Sequence, residues 1–169
     1  MGNRDKKFKV QMTKEALFDF MLHHSYSGLT GVFSIVFSIA FIVVGAVMYS
    51  NGKISLNWLG ALIFIGVAMA FSTPFQLRND AARQMKNNAI YRDPVSYGVS
   101  DRGISVNQNK NKKFFTWNQI IKVRITKRAV GFYYEKQFAL VMPREVFDQQ
   151  GLKEIVEANM PAEAIKGMK

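Results

Sequence analysis

The sequence predicts a membrane α-helical hairpin of two transmembrane helices joined to a small α+β domain, a bent antiparallel sheet or partial barrel with a C-terminal helix. Three observations carry this. Two uncharged runs sit back to back: no Lys, Arg, Asp or Glu occurs from Phe20 to Gly52, and none from Ile54 to Leu77. A series of short alternating segments follows, ending in one amphipathic stretch. Basic residues crowd the outer flanks of the uncharged runs, and Lys53 stands alone between them.

Each uncharged run is long enough to cross a bilayer. A hydrocarbon core of about 30 Å takes roughly 20 apolar residues of helix, and both Gly28 to Tyr49 and Ile54 to Thr73 supply them. Two buried helices of a soluble core should each keep a polar stripe toward water; here only scattered Ser, Thr and Asn interrupt the apolar residues. Gly28, Gly31 and Gly45 on the first helix, with Gly60, Ala61 and Gly66 on the second, would permit close backbone approach. Tyr49 and Trp58 fall near the hairpin tip, where amphipathic aromatics favour the interface. The first run is expected to be retained rather than cleaved, since its apolar part begins far from Met1 and exceeds a signal peptide's apolar region.

Charge sets the orientation. Arg4, Lys6, Lys7, Lys9 and Lys14 precede the first run, and Arg78, Arg83, Lys86 and Arg92 follow the second. Positive charge stays on the cytoplasmic side. Both termini are therefore expected in the cytoplasm, with only the tip exported.

The remaining elements follow in order. Phe8 to Met12 alternates like a strand. Thr13 then reads as an N-cap, with Glu15 in the first turn of a helix running to about His24 and Leu17, Phe18, Met21 and Leu22 on its apolar face. His23 and His24 are adjacent, so a helix points them apart and they cannot form an i, i+4 metal pair. After the second run, Phe75 to Ile90 reads as a helical extension, with Asp80 and Arg83 spaced for an i, i+3 pair. Pro94 stops it and pushes residue 93 toward extended backbone.

Six strands are expected next. Val95, Tyr97 and Val99 alternate, Asp101-Arg102-Gly103 turns, and Ile104 and Val106 alternate again. Lys112 to Trp117 is the third strand; Ile121, Val123 and Ile125 then face one way, with Lys122 and Arg124 facing the other. Val130 to Tyr134 and Phe138 to Met142 complete the set, and Pro143 opens a helix carrying Val146, Phe147, Leu152, Ile155 and Val156. Six short strands and one helix describe a pleckstrin-homology-like (PH-like) domain. The predicted organisation is residues 1–27 as a cytoplasmic strand and amphipathic helix, 28–77 as the hairpin, 78–92 as a juxtamembrane helix and 93–169 as the PH-like domain.

Several motifs also carry a resemblance. Phe8-Lys9-Val10 with Thr13, Asp93-Pro94-Val95-Ser96-Tyr97, Gly103-Ile104, Trp117-Asn118-Gln119-Ile120 and Ala139-Leu140-Val141-Met142-Pro143-Arg144 resemble the YcxB-like family. The resemblance implies a small bacterial membrane protein, mostly of Gram-positive bacteria, with two spans and a cytoplasmic PH-like domain. Its motifs are structural rather than catalytic.

Function is read mostly by exclusion. The chain has no cysteine among its 169 residues, so it has no disulfide, thiolate metal site or cysteine nucleophile. The only histidines precede the membrane runs, no Gly-rich phosphate loop precedes a helix, and the acids show no paired spacing for acid–base work. An enzyme, a metal or a cofactor is not expected. The net charge of +11 is concentrated: from Arg78 to Met142 there are 13 basic against 4 acidic residues, a net of +9. Nucleic acid is not expected to be the partner, because a small barrel needs its aromatics (Phe114, Phe115, Trp117, Phe132 to Tyr134) in the core. Lys110, Lys112, Lys113, Lys122, Arg124, Lys127 and Arg128 form the candidate patch for anionic phospholipid or a protein partner. The expectation is a non-enzymatic protein-binding module in the bacterial cell (inner) membrane. Two alternatives stay open, an anionic-lipid-binding module and an immunity protein against a membrane-active toxin or bacteriocin. The glycine-bearing helices also offer a route to homo-oligomers.

Overall fold

The computed structural model describes residues 5–27, 29–109 and 111–167. In chain order they form β1 (Lys6–Val10), α1 (Lys14–Tyr26), the long helices α2 (Leu29–Ser50) and α3 (Leu56–Asn87), and the single turn α4 (Ala89–Arg92). Next come β2 (Val95–Ser100), β3 (Gly103–Gln108), β4 (Asn111–Thr116), a 3-10 turn over Trp117–Gln119, β5 (Lys122–Ile125), β6 (Ala129–Tyr133) and β7 (Ala139–Pro143). The last elements are α5 (Arg144–Gln149), α6 (Lys153–Asn159), a 3-10 turn over Ala162–Ala164 and β8 (Ile165–Lys166). Two compact units result: residues up to Phe20 group with those from Ala81 onward, and Met21–Asp80 forms the other.

The second unit holds the hairpin. Val32–Ser50 and Leu56–Asn87 are long and apolar enough to cross a membrane, with mean hydropathies of 2.5 and 1.8. Core helices of a soluble protein would be mostly covered, yet only 11% and 6% of these apolar stretches are buried. Among the described residues, every large exposed apolar side chain lies between Val32 and Phe75, apart from Ile90, Phe114, Ile121 and Phe138.

The turn between the helices is set by Gly52, at φ +67°. Its N–H donates to the Tyr49 carbonyl at 2.9 Å and the Lys53 N–H donates to the Met48 carbonyl at 2.9 Å, the paired bonds of a Schellman cap. The helices approach at Gly66, where an added Cβ would lie 2.8 Å from the Ser38 carbonyl oxygen, and at Gly45, where it would lie 3.2 Å from Leu62. Ser34 Oγ donates across to the Met69 carbonyl at 3.3 Å. Gly60 plays no part, since nothing lies within 4 Å of its Cβ position. Gly28 lies outside the described residues, as do the surroundings of Gly31.

The extension beyond the second run is also shorter than expected. Asn88 leaves the helical region, and its Oδ1 accepts the Ile90 N–H at 3.0 Å, capping the separate turn α4. No ion pair joins Asp80 to Arg83; the described pairs are Arg92–Asp93, Arg144–Asp148 and Lys153–Glu157.

The other unit is built on two four-stranded sheets rather than one closed barrel. The first has the order β1-β2-β3-β4, all antiparallel; the second has β7-β6-β5-β8, with β8 parallel to β5. Their inner faces share one core, including Val99, Ile104, Val123, Phe132 and Met142. The buried Tyr97 hydroxyl of β2 donates to the Val141 carbonyl of β7 at 3.2 Å, tying one sheet to the other. The Trp117 indole N–H donates to the Ser100 carbonyl at 3.0 Å. The six expected strands become eight, because β1 adds to one sheet and β8 to the other.

The single expected C-terminal helix is two. Gly151, at φ +57°, ends α5, with its N–H on the Asp148 carbonyl and the Leu152 N–H on the Phe147 carbonyl. Lys6 donates to the Gln150 carbonyl, placing a cation at that helix end. Phe147, Leu152, Ile155 and Val156 still deliver the apolar face to the core.

Helix α1 starts as expected, with Thr13 Oγ1 accepting the Ala16 N–H at 3.2 Å. Leu17 is buried, whereas Phe18, Met21 and Leu22 are half-buried. The tightest contact is one the apolar stripe did not announce. The Phe20 ring lies on Gly131 of β6, where an added Cβ would be 2.4 Å from Phe20 Cε2, and its centroid is 5.9 Å from that of Tyr133. Gly131→Ala should therefore lower stability by about 1–3 kcal/mol, measured by denaturant unfolding in detergent. Phe20→Ala should cost less in that background than in the wild type; equal costs in both backgrounds would mean that ring and glycine are not coupled.

Candidate functional site

Strand alternation and sheet order decide where the basic residues go. Six of the seven candidates are described, and Lys110 lies outside the described residues. The six do not form one patch. Lys112 and Lys113 are exposed on β4 of the first sheet, Lys122 and Arg124 stand on β5 of the second, and Lys127 and Arg128 make the β5–β6 turn.

Lys122 and Arg124 project from the outer face of their sheet, while Val123 and Ile125 between them enter the core. The register sets Arg124 opposite Lys166 of β8 and Lys122 opposite Tyr133. The Lys122 ammonium sits 4.3 Å from the Tyr133 ring centroid, an arrangement that favours its charged form. Desolvation opposes that, followed by repulsion from Arg124 and Lys166, and together they hold the Lys122 pKa below the ordinary lysine value. Burial in turn pushes the Tyr133 phenol up, with Arg124 drawing it back.

The turn at Lys127-Arg128 is compensated by acids. The Arg128 N–H donates to the Asp19 carboxylate at 2.8 Å. The Arg144 guanidinium donates to the Thr126 carbonyl and to the Asp148 carboxylate, both at 3.3 Å. The groove beside this turn is lined by Lys127, Arg128 and Arg144 but also by Glu15, Glu145 and Asp148. A groove of mixed sign at this balance offers an anion no net attraction.

A different feature emerges at the other end of the second sheet. Ile121 and Phe138, each 56% exposed, line a cleft of about 440 Å³ with Tyr134 and the loop Glu135 to Gln137. Tyr134 stacks on Phe138 at 6.3 Å and packs on Phe115 of β4 at 4.8 Å, so the aromatic surface is continuous. Burial pushes the Tyr134 phenol up, and Glu135 adds to that. Sequence alternation had grouped Ile121 with Val123 and Ile125. The structure corrects this: Ile120 enters the core as the chain leaves the 3-10 turn, and Ile121 is left outside. Phe138 likewise precedes β7 instead of opening it. Two apolar residues at strand entries were the available signal.

Among the described residues no three His, Asp or Glu side chains converge on a point that could hold a metal. His23 and His24 lie on α1, within the hairpin unit.

The architecture defines a class: a two-sheet domain interrupted, between β1 and β2, by a hairpin of two helices apolar and long enough to cross a membrane. Residues 99–158 match the family model described as YcxB-like protein, from the end of β2 into α6. That segment is similar to the YcxB-like family, and it contains the motifs Gly103-Ile104, Trp117-Asn118-Gln119-Ile120 and Ala139 to Arg144 that carry the resemblance. No curated protein and no solved structure matches the chain.

The charge cluster on β5 has a measurable signature. A depressed Lys122 pKa means the folded state binds fewer protons than the unfolded one between the folded and ordinary values. Its penalty is full below that window and lifts as pH rises through it. Amine acylation of Lys122, followed by mass spectrometry, should reach half-maximal rate at lower pH than an ordinary lysine. Arg124→Gln should move that midpoint up; an unmoved midpoint would remove Arg124 as a cause.

Proposed function

We propose that this chain is a non-enzymatic binding module held at the bacterial cell membrane by its hairpin, with both flanks in the cytoplasm and a PH-like sheet domain that recognises a protein partner. The observation that carries the partner reading is the cleft of Ile121, Tyr134 and Phe138. Ile121 and Phe138 are more than half exposed and share one recess with the half-buried Tyr134, the composition of an interface centre where aromatic anchors dominate binding energy. Among the described residues of the sheet unit, only Ile90 and Phe114 are comparably exposed.

Further support comes from β4, an edge strand whose outer side has no neighbouring strand among the described residues. The Thr116 N–H is taken by the Gln119 side chain at 2.9 Å, so the same-parity Lys112 and Phe114 also present their backbone groups outward. An extended segment of a partner could add there by strand pairing. The basic flanks of the hairpin support the cytoplasmic orientation. Two largely antiparallel sheets sharing one core with the C-terminal helices support the PH-like reading.

A photo-crosslinking amino acid at Phe138 or Ile121 tests this in native membranes. A discrete protein adduct is expected at both positions and not at Lys153 on α6. Phe138→Ser should weaken a recovered partner's binding by about tenfold or more, the scale of one truncated anchor. Lipid-only adducts, or none at either position, would sink the protein-partner reading.

A further inference from the structure

The outer face of the first sheet carries a second surface, independent of the cleft. The register aligns Lys9, Ser96, Asn107 and Lys112 in one row across all four strands. The neighbouring row is Lys7, Gly98, Ser105 and Phe114. All of these residues except Phe114 line a shallow trough of about 560 Å³, and among the described residues its lining contains no carboxylate. Its basic walls come from residues more than a hundred positions apart in sequence, which only β1 pairing brings to one face.

The trough is shaped by small residues. A Cβ on Gly98 would fall 2.4 Å from Ser105 Oγ and 3.8 Å from Lys7 Cγ, so the Lys7 stem lies across a floor that glycine keeps low. The Ser105 hydroxyl donates to the Gly98 carbonyl at 3.2 Å and stays in the floor. With strands about 4.8 Å apart, Lys9 and Lys112 stand roughly 14 Å apart at their Cα atoms. Two flexible lysine side chains can close on an anion held across that gap, with Ser96 and Asn107 beneath it as further donors.

We infer that this trough binds the phosphate of an anionic phospholipid headgroup. Three ammonium groups without a carboxylate fit phosphate. Phe114, 51% exposed and on the same face of β4 as Lys112, gives the trough an apolar neighbour, which favours a lipid over a soluble anion. The trough itself stands on the sheet register alone; the choice of lipid as the source rests on the membrane reading above.

The test uses the full chain in neutral detergent micelles doped with phosphatidylglycerol or phosphatidylcholine, with acetylation rates read lysine by lysine. Phosphatidylglycerol should slow Lys7, Lys9 and Lys112 by about fivefold each relative to phosphatidylcholine, the weight of one lysine beside an anionic surface. Lys153 should be unchanged. Asn107→Asp, an exposed substitution that puts a carboxylate in the floor, should abolish the difference. Equal rates in the two lipids would overturn the site. Protection by pyrophosphate as strong as that by phosphatidylglycerol would overturn the lipid and make a soluble phosphate the ligand. Carbonate extraction of native membranes checks the hairpin separately: release of the chain would remove the membrane reading, and the lipid with it.

Discussion

The pairing of β1 with β2 is the constraint on which the rest depends. Lys6 to Val10 register against Val95 to Val99, so the first sheet is completed by a strand that precedes the whole hairpin. The hairpin is therefore an insertion between two neighbouring strands of one sheet. Both of its ends must return to the same unit, and a membrane crossing inserted in this way has to be even in number. Two apolar helices meet that requirement, and one would not. The same pairing imposes an order on folding. β1 leaves the ribosome first and must stay unpaired until β2 follows the second apolar helix, a non-local contact that closes a long loop.

The second sheet is organised by coverage rather than closure. Every residue of β6 is buried, which a strand achieves only when both faces are covered. Val130 and Phe132 face the shared core, and the Phe20 ring covers Gly131 and Tyr133 on the other side. The glycine is what lets α1 approach closely enough. The charge pattern nearby follows from register instead: the outward residues Lys122 and Arg124 alternate along β5, and the parallel pairing with β8 sets Lys166 beside them. The cationic crowding at Lys122 is thus a consequence of how β8 pairs.

Much of this was legible in the sequence, and what was not has a common cause. The hairpin, the Thr13 cap, the Val95 to Val99 alternation and the inward face of Phe147, Leu152, Ile155 and Val156 are local patterns, and local patterns transmit. The partner of β1 is non-local, because an alternating strand announces its faces but not its neighbour. β8 is two residues long and has no periodicity to read. The break at Gly151 was visible as a glycine, yet the apolar spacing runs on through it. The basic patch failed to assemble for the same reason. Sequence proximity grouped Lys112, Lys122 and Lys127, whereas sheet order separates them and brings Lys112 to Lys7 and Lys9.

The two proposed surfaces stand differently toward the family match. Ile121, Tyr134 and Phe138 all fall within residues 99–158, so the cleft is a property of the matched segment. The trough is not, because Lys7, Lys9, Ser96 and Gly98 lie outside it and only Lys112, Ser105 and Asn107 lie inside. The matched segment also lacks β1 and most of β2, so on its own it would leave β3 as an exposed edge and uncover Ile104. A sheet in that state needs a strand supplied from elsewhere. In this chain β1 supplies it from beyond the hairpin, and the strand that completes the fold is also the strand that brings the lysines.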